Sequence, residues 1–196
     1  MKEPPDGLEV VPMEATRILM EEHRVIERVV SSLDRAAQRL DAGEPIGAGF
    51  FVDAADFIKG FADGCHHKKE ESVLFPAMET AGVARQGGPL AVMLAEHEEG
   101  RRLTRAMQAA AEEMATGGAE WKTAVVQNAL GCVALLRQHI AKENGVLFPM
   151  ADRVIAPEVQ GGLADAFDRI EHEETGVGMH EKYLAMAERL ERQAGR

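Results

Sequence analysis

One combination of metal-binding residue types occurs twice along the chain. Residues 66–76 read His-His-Lys-Lys-Glu-Glu-Ser-Val-Leu-Phe-Pro, and residues 139–149 read His-Ile-Ala-Lys-Glu-Asn-Gly-Val-Leu-Phe-Pro. Alignment of the two Leu-Phe-Pro triplets places His66 over His139 and Glu70 over Glu143, an offset of 73 residues (139 minus 66). Imidazole and carboxylate groups together suit iron, manganese or zinc. The repeat therefore predicts a duplicated unit built around one metal site.

A second repeated pair supplies further imidazoles. Glu22-His23 and Glu96-His97 lie 74 residues apart (97 minus 23). Positions i and i+4 of an α-helix share a face, so each His-x-x-x-Glu segment can direct one imidazole and one carboxylate to the same side. On four antiparallel helices these groups can converge at mid-height. The ligands predicted from the repeat are His23, His66, Glu70, His97, His139 and Glu143.

Three residues beside these ligands have other expected roles. Successive residues of an α-helix differ in direction by about 100°, so His67 and Glu71 are predicted to face away from the site if their neighbours face it. Glu27 follows His23 by four residues. It is either an acceptor for an imidazole N–H or a member of a surface ion pair.

Helical periodicity and Gly/Pro interruptions divide the chain into the elements that must position these residues. Apolar residues recur at helical spacing from Pro12 to Leu40, and Gly43-Glu44-Pro45 ends that pattern. Further helices are predicted over about 50–80, 89–116, 120–151, 158–174 and 179–193. The predicted fold is all-α: an up-down-up-down four-helix bundle with an additional C-terminal helical segment. Residues 1–12 would form an N-terminal arm, residues 13–151 the bundle, and residues 152–196 a helical extension that packs on the bundle.

Composition argues against several functional classes. The net charge of −11 gives no electrostatic support for binding nucleic acid. No apolar run approaches the length of a membrane span, and residues 1–11 carry charges and prolines unlike a signal peptide. We therefore expect a cytoplasmic protein whose Cys65 and Cys132 are buried thiols. The alternative for Cys65 is a role in binding a soft metal beside His66.

The order of the repeated residues resembles the hemerythrin-like (HHE cation-binding) family. That family has a His on the first and third helices and His-x-x-x-Glu on the second and fourth. The resemblance covers roughly residues 13–151. It implies a non-haem centre of two iron ions bridged by two carboxylates, with a position where dioxygen, nitric oxide or peroxide can meet iron. Ferritin-like proteins are disfavoured because they use Glu-x-x-His, with the carboxylate first and a spacing of three.

One position departs from the oxygen-carrying hemerythrins, which have a second His four residues after the first on their third helix. Here Arg101 stands four residues after His97. The repeat thus lacks one imidazole, so either one iron has an extra open position or another residue fills it. His180 is the predicted additional ligand, with His172 and Tyr183 as alternatives. An inward-facing Arg101 could stabilise a bound anion.

The function that follows is binding or turnover of a small ligand: dioxygen, nitric oxide or peroxide. The missing imidazole suits redox turnover of nitric oxide or peroxide, which would require a redox partner, at least as well as oxygen carriage. Two alternatives without catalysis stay open. One is a metal-dependent iron or oxygen sensor, and the other is a structural or zinc-binding bundle.

Overall fold

The computed structural model describes residues 12–175 and 178–195. These residues form six helices joined by turns and contain no strand, so the predicted all-α class is confirmed for them. Of the arm predicted over residues 1–12, all but Pro12 lies outside the described residues. The division of the chain into a bundle and an extension stays a prediction. The helices are α1 (Glu14–Asp41), α2 (48–80), α3 (Pro89–Ala115), α4 (122–154), α5 (157–175) and α6 (Met179–Ala194).

The first four helices run alternately between two apolar clusters. One cluster contains the C-terminal part of α1, the start of α2, the C-terminal part of α3 and the start of α4. The other contains the opposite ends of the same helices, including Leu19, Phe75, Leu90 and Phe148. In each of the four helices, the residues at one end therefore belong to one cluster and those at the other end belong to the second cluster. The histidines and glutamates of the repeat lie between these two ends.

Two of these helices widen into π-helical turns before a proline. In α2 the widened turns cover Ile58–His67 and Glu70–Leu74, and the helix continues as Phe75–Thr80. In α4 the corresponding turn is Glu143–Leu147, followed by Phe148–Val154. Pro76 and Pro149 cannot donate a backbone hydrogen bond, and their rings would clash with the preceding turn of a regular α-helix. The widened turns allow both helices to continue through these prolines.

The last two helices pack against the first two. Helix α5 contacts α1, and α6 contacts both α1 and α2. Tyr183 of α6 lies over Gly60 of α2, where an added Cβ would come within 1.7 Å of the Tyr183 hydroxyl oxygen. The tyrosine ring also meets Phe57 and Phe61 edge-on or tilted, with ring centroids 6.0 Å away in both cases. A glycine at position 60 is therefore what permits α6 to approach α2 this closely.

No helix within the described ranges has an apolar stretch that could cross a membrane. Both cysteines are buried, as the sequence predicts.

Candidate metal centre

Two buried carboxylates lie at the centre of the repeat. Glu70 and Glu143 are 0% exposed. The two oxygens of Glu70 lie 3.6 Å from Nε2 of His66 and 3.4 Å from Nε2 of His97. The two oxygens of Glu143 lie 3.0 Å from Nε2 of His139 and 3.1 Å from Nε2 of His23. Each carboxylate thus extends between imidazoles on two different sides.

The imidazoles divide into two groups around these carboxylates. Within each group, one potential ligand atom per residue lies within 4.8 Å of the others, and every member is buried. The rings of His67 and His97 stack with their centroids 3.9 Å apart. The first group is His23, His66, Glu70 and Glu143, and the second is His67, His97, His139 and Glu70.

The hydrogen bonds of the outer ring nitrogens fix how four of these imidazoles are oriented. Each donates from Nδ1 to a side-chain oxygen, which leaves Nε2 to face the carboxylates. The acceptors are Asn144 for His23 at 2.9 Å, Glu22 for His66 at 2.9 Å, Glu71 for His97 at 2.6 Å and Glu96 for His139 at 3.0 Å. This arrangement is typical of histidines that bind a metal through Nε2.

The unsatisfied atoms at the centre fit a bound cation. Among the described residues, both oxygens of Glu70, both oxygens of Glu143, and Nε2 of His23 and His66 are buried with no hydrogen-bond partner. A buried carboxylate without such partners is costly unless positive charge compensates it. Metal ions between the two carboxylates would satisfy these atoms, and imidazole with carboxylate suits iron, manganese or zinc.

Comparison with known proteins agrees with this donor set. The family model of the hemerythrin HHE cation-binding domain matches residues 14–151. The chain belongs to the hemerythrin HHE family.

Relatives of this hemerythrin-family chain carry two kinds of description. It is similar to a Mycobacterium tuberculosis protein described as uncharacterised, 26% identical over 94% of this chain and 72% of that protein. It is also similar to proteins described as the iron-sulfur cluster repair protein YtfE. The one from Edwardsiella ictaluri is 33% identical over 44% of this chain and 40% of its own length. The one from Salmonella newport is 34% identical, again over 44% and 40%.

The structure brings a different fifth imidazole to the carboxylates from the one expected. Nδ1 of His180 lies 3.2 Å from Oε1 of Glu171, and the side chain is 36% exposed, outside both groups of the hemerythrin-family site. His67 of α2 lies in the second group instead and is 5% exposed. The expectation that His66 and His67 could not both face inward assumed a regular α-helix. In the widened turns of Ile58–His67, successive residues differ by a smaller angle, so both rings can enter the site.

The other expected substitutes also lie elsewhere. His172 is exposed, with its Nδ1 2.9 Å from the backbone oxygen of Asp168. Tyr183 packs against the aromatic rings of α2. Glu27 is exposed on α1, and the acceptor for His23 is Asn144. Arg101 turns to carboxylates, with hydrogen bonds to Asp63, Glu71 and Glu98.

Two lysines complete the surroundings of the hemerythrin-family site and were missed from the sequence. The ammonium group of Lys69 contacts Glu22, and that of Lys142 contacts Glu96. Each lysine therefore holds the carboxylate that accepts from an inner histidine. The signal was present in the sequence, since Lys-Glu occurs in both copies of the repeat at 69–70 and 142–143.

A third group of potential metal ligands already contacts a positively charged side chain of the protein. Glu22, Cys65 and Glu171 offer ligand atoms within 4.8 Å of one another. However, Nζ of Lys69 contacts Glu22 and lies 3.1 Å from Oε2 of Glu171. The lysine thus provides the positive charge that a metal would bring.

The central carboxylates also set the proton affinity of the imidazoles. Burial by itself would lower the pKa of His97, but the carboxylates of Glu70, Glu71 and Glu143 raise it to about 9. Burial and the charge of His97 hold the pKa of His67 well below its ordinary value. Burial would raise the pKa of Glu143, yet His139 and His23 hold it well below its usual range. The cluster therefore attracts positive charge, whether that charge is a proton or a metal ion.

Proposed function

We propose that this hemerythrin-family chain is a non-haem di-iron protein that binds or turns over a small ligand. Its first four helices would form the up-down-up-down bundle of that family. The observation that carries the proposal is the pair of buried carboxylates whose oxygens lack hydrogen bonds among the described residues and face imidazoles on both sides. One iron would be held by His23 and His66 and the other by His67, His97 and His139, with Glu70 and Glu143 supplying the carboxylates that lie between the two sets of imidazoles.

The protein's own residues would orient and enclose this centre. Hydrogen bonds from Nδ1 hold four of the five rings, so their Nε2 atoms face the same small volume. The ligand residues are nearly or fully buried, which excludes bulk water. Bound iron would supply redox chemistry towards dioxygen, nitric oxide or peroxide.

The proposed setting is the cytoplasm, with a redox partner and without nucleic acid or membrane as partners. The relatives described as iron-sulfur cluster repair proteins support an iron-related role. Those matches cover 44% of this chain.

The test is the iron content of freshly purified protein together with its visible spectrum before and after reduction. We expect two iron ions per chain and an absorption band that weakens on reduction. His67→Ile should lower the iron content, because it copies Ile140 at the equivalent position and removes one donor. His180→Ala should leave the content unchanged. Zinc alone, or folded protein that takes up no iron, would instead support a structural or zinc-binding bundle.

One contact chain favours a sensor as the second candidate. His66 donates to Glu22, Glu22 contacts Lys69, and Lys69 contacts Glu171 of α5. Glu171 in turn lies beside His180 of α6. The proposed metal centre is thereby linked to the last two helices. A sensor predicts that iron removal changes hydrogen exchange in α5 and α6 while turnover of all three ligands stays negligible.

A further inference from the structure

Two exposed valines flank an ion pair on the outer surface of α3 and α4. Val92 and Val146 are 47% and 54% exposed. Val92 stands four residues before Glu96 on α3, so the two side chains share a side of that helix. Val146 stands four residues after Lys142 on α4 and shares a side with it in the same way. The contact between Glu96 and Lys142 joins the two helices at this point. We call the surface formed by these four residues the α3–α4 face.

The same arrangement occurs in the first half of the repeat, where it is covered. The offsets of 74 and 73 residues pair Val92 with Ile18, Glu96 with Glu22, Lys142 with Lys69, and Val146 with Val73. In both halves the glutamate contacts the lysine. The two apolar residues of the first half are partly buried, however, because they pack against the cluster that includes Leu163 and Phe167 of α5. The α3–α4 face thus repeats a surface that receives a helix elsewhere in the same chain.

Helix α5 shows what kind of helix such a surface accepts. It contacts α1 and the turn Glu70–Leu74 of α2. The Phe167 ring lies near the ammonium group of Lys69, and Glu171, four residues later, gives that lysine a second carboxylate. The side of α5 that faces the first half therefore combines apolar residues with one carboxylate.

Charge separates the possible occupants of the α3–α4 face. Among the described residues Lys142 contacts one carboxylate, and its side chain is 39% exposed, so it can accept a second carboxylate as Lys69 does. The chain as a whole carries a net charge of −11, which opposes the approach of a second copy or of a strongly acidic partner. A complementary helix therefore directs one carboxylate at Lys142 and carries basic residues on its outer side.

We propose that the α3–α4 face is a docking site for an amphipathic helix of another protein. This helix presents apolar residues, among them an aromatic ring, to Val92 and Val146, and a carboxylate to Lys142. Its outer side is basic. Burial of the two valines supplies most of the affinity, and the carboxylate fixes how the helix is oriented. The proposal goes beyond the proposed function and does not require iron.

The first experiment titrates a synthetic helix against the full-length protein. The probe is a fluorescent peptide that copies residues 157–172 with Asp165→Lys and Asp168→Lys, two exposed positions whose change makes the outer side basic. Binding should be saturable by fluorescence anisotropy, with amide shifts centred on the α3–α4 face. Val146→Asp should weaken it by at least about tenfold, because a charge then opposes burial. Val159→Asp changes the same residue type at 48% exposure on α5 and should leave the affinity within about twofold of the parent.

Further variants test the two kinds of contact separately. Val92→Asp repeats the apolar test from α3 if Val146→Asp does not fold. Lys142→Gln in the protein should weaken binding by about twofold to fivefold, because it breaks a partly exposed ion pair. Glu171→Gln in the peptide breaks the same pair and should have the same effect. The two changes together should weaken binding no more than either change alone.

Each outcome decides for or against the docking site. Saturable binding that is lost in Val146→Asp and kept in Val159→Asp supports it. Absence of binding, or equal loss in both variants, overturns it. Amide shifts confined to Ile18 and Val73 would mean that the peptide displaces α5, and they overturn it too. A parent that sediments as a dimer, and becomes a monomer in Val146→Asp, would show that a second copy occupies the face instead. Binding to a parent that takes up no iron supports the docking site and overturns only the di-iron centre.

Discussion

The two halves of the molecule repeat the same inner contacts but differ in what covers them. In each half a glutamate accepts a hydrogen bond from Nδ1 of an inner histidine and contacts a lysine three residues after that histidine. The residues are Glu22, His66 and Lys69 in one half and Glu96, His139 and Lys142 in the other. The duplication thus extends beyond the residues facing the proposed metals to those that hold them.

The C-terminal helices cover only one of these lysines. Lys69 is 0% exposed, lies 3.1 Å from Glu171 of α5 and has its Nζ 6.0 Å from the centre of the Phe167 ring. The Lys142 side chain is 39% exposed. An exposed ion pair contributes little because water competes with it, whereas a buried one is costly to break. The lysine of the repeated Lys-Glu pair should therefore contribute differently to the free energy of unfolding in the two halves.

Removal of either central carboxylate should have the largest effect and should affect both halves equally. Glu70→Gln and Glu143→Gln each remove a charge shared between the two groups of imidazoles, so iron content should fall to a small residual fraction. The metal-free variants should resist urea less well than the metal-free parent at neutral pH, because the surrounding imidazoles lose a carboxylate that compensates their positive charge. Elemental analysis and urea unfolding check both results. Glu27→Gln, on the exposed face of α1, is the control and should match the parent.

The two lysines should then separate the halves. Lys69→Met should lower the free energy of unfolding of the metal-free protein by about 3–5 kcal/mol, since it leaves Glu22 and Glu171 without their shared cation. Lys142→Met should lower it by only about 0–1 kcal/mol, because the pair it breaks is partly exposed. Methionine keeps most of the apolar length in both variants. Equal losses in urea titrations would contradict the covering role assigned to α5.

The free energy of unfolding of the metal-free protein should depend on pH through a proton bound in the second group of imidazoles. The pKa of His97 rises from an ordinary 6.5 to about 9, equivalent to roughly 3 kcal/mol. The groups facing it are Glu70, Glu71, Glu143, His67 and His139.

Because the folded state binds this proton more tightly, the stabilisation is complete below pH 6.5 and is lost as the pH rises towards 9. Metal-free protein should therefore lose stability over that interval. The iron-loaded protein should not, because a bound metal replaces the proton. Urea midpoints across the pH range test this, and parallel curves for the two forms would refute it.

The smallest effect should come from making one half imitate the other. Glu71 and Asn144 occupy equivalent positions and accept from His97 and His23. Glu71→Asn should keep iron affinity within about tenfold of the parent, whereas Glu71→Ala should lose the roughly 10–100-fold usual when such a partner is removed. Competition with a chelator measures both affinities. A loss as large for asparagine as for alanine would show that the charge of Glu71, and not its acceptor oxygen, is needed.

Much of the site could be predicted because the relevant residues lie a few positions apart on the same helix. Spacing of four residues on a helix places His66 with Glu70 and His139 with Glu143, and the structure brings all four together. The alternation of glycine, proline and apolar stretches likewise gave the six helices to within a few residues of their ends.

The residues that could not be predicted depend on departures from regular helix or on distant contacts. His67 was excluded by the geometry of an α-helix, and the widened turn of α2 brings it in. The burial of Lys69 requires α5, more than one hundred residues later in the chain, to fold back over it. No local pattern distinguishes Lys69 from Lys142, since both stand directly before one of the two central glutamates.

Because of the widened segment Ile58–His67, α2 should tolerate substitutions better than changes in its length. A substitution on the outer surface of this segment leaves the path of the backbone unchanged. Loss of one residue between Ile58 and Cys65 would rotate everything before it, relative to His66 and His67, by the angle between successive residues, which in this segment is smaller than that of a regular α-helix. Phe57 would then leave the core, or the two histidines would leave the site. Deletion scanning along α2 should therefore find its least tolerant stretch here.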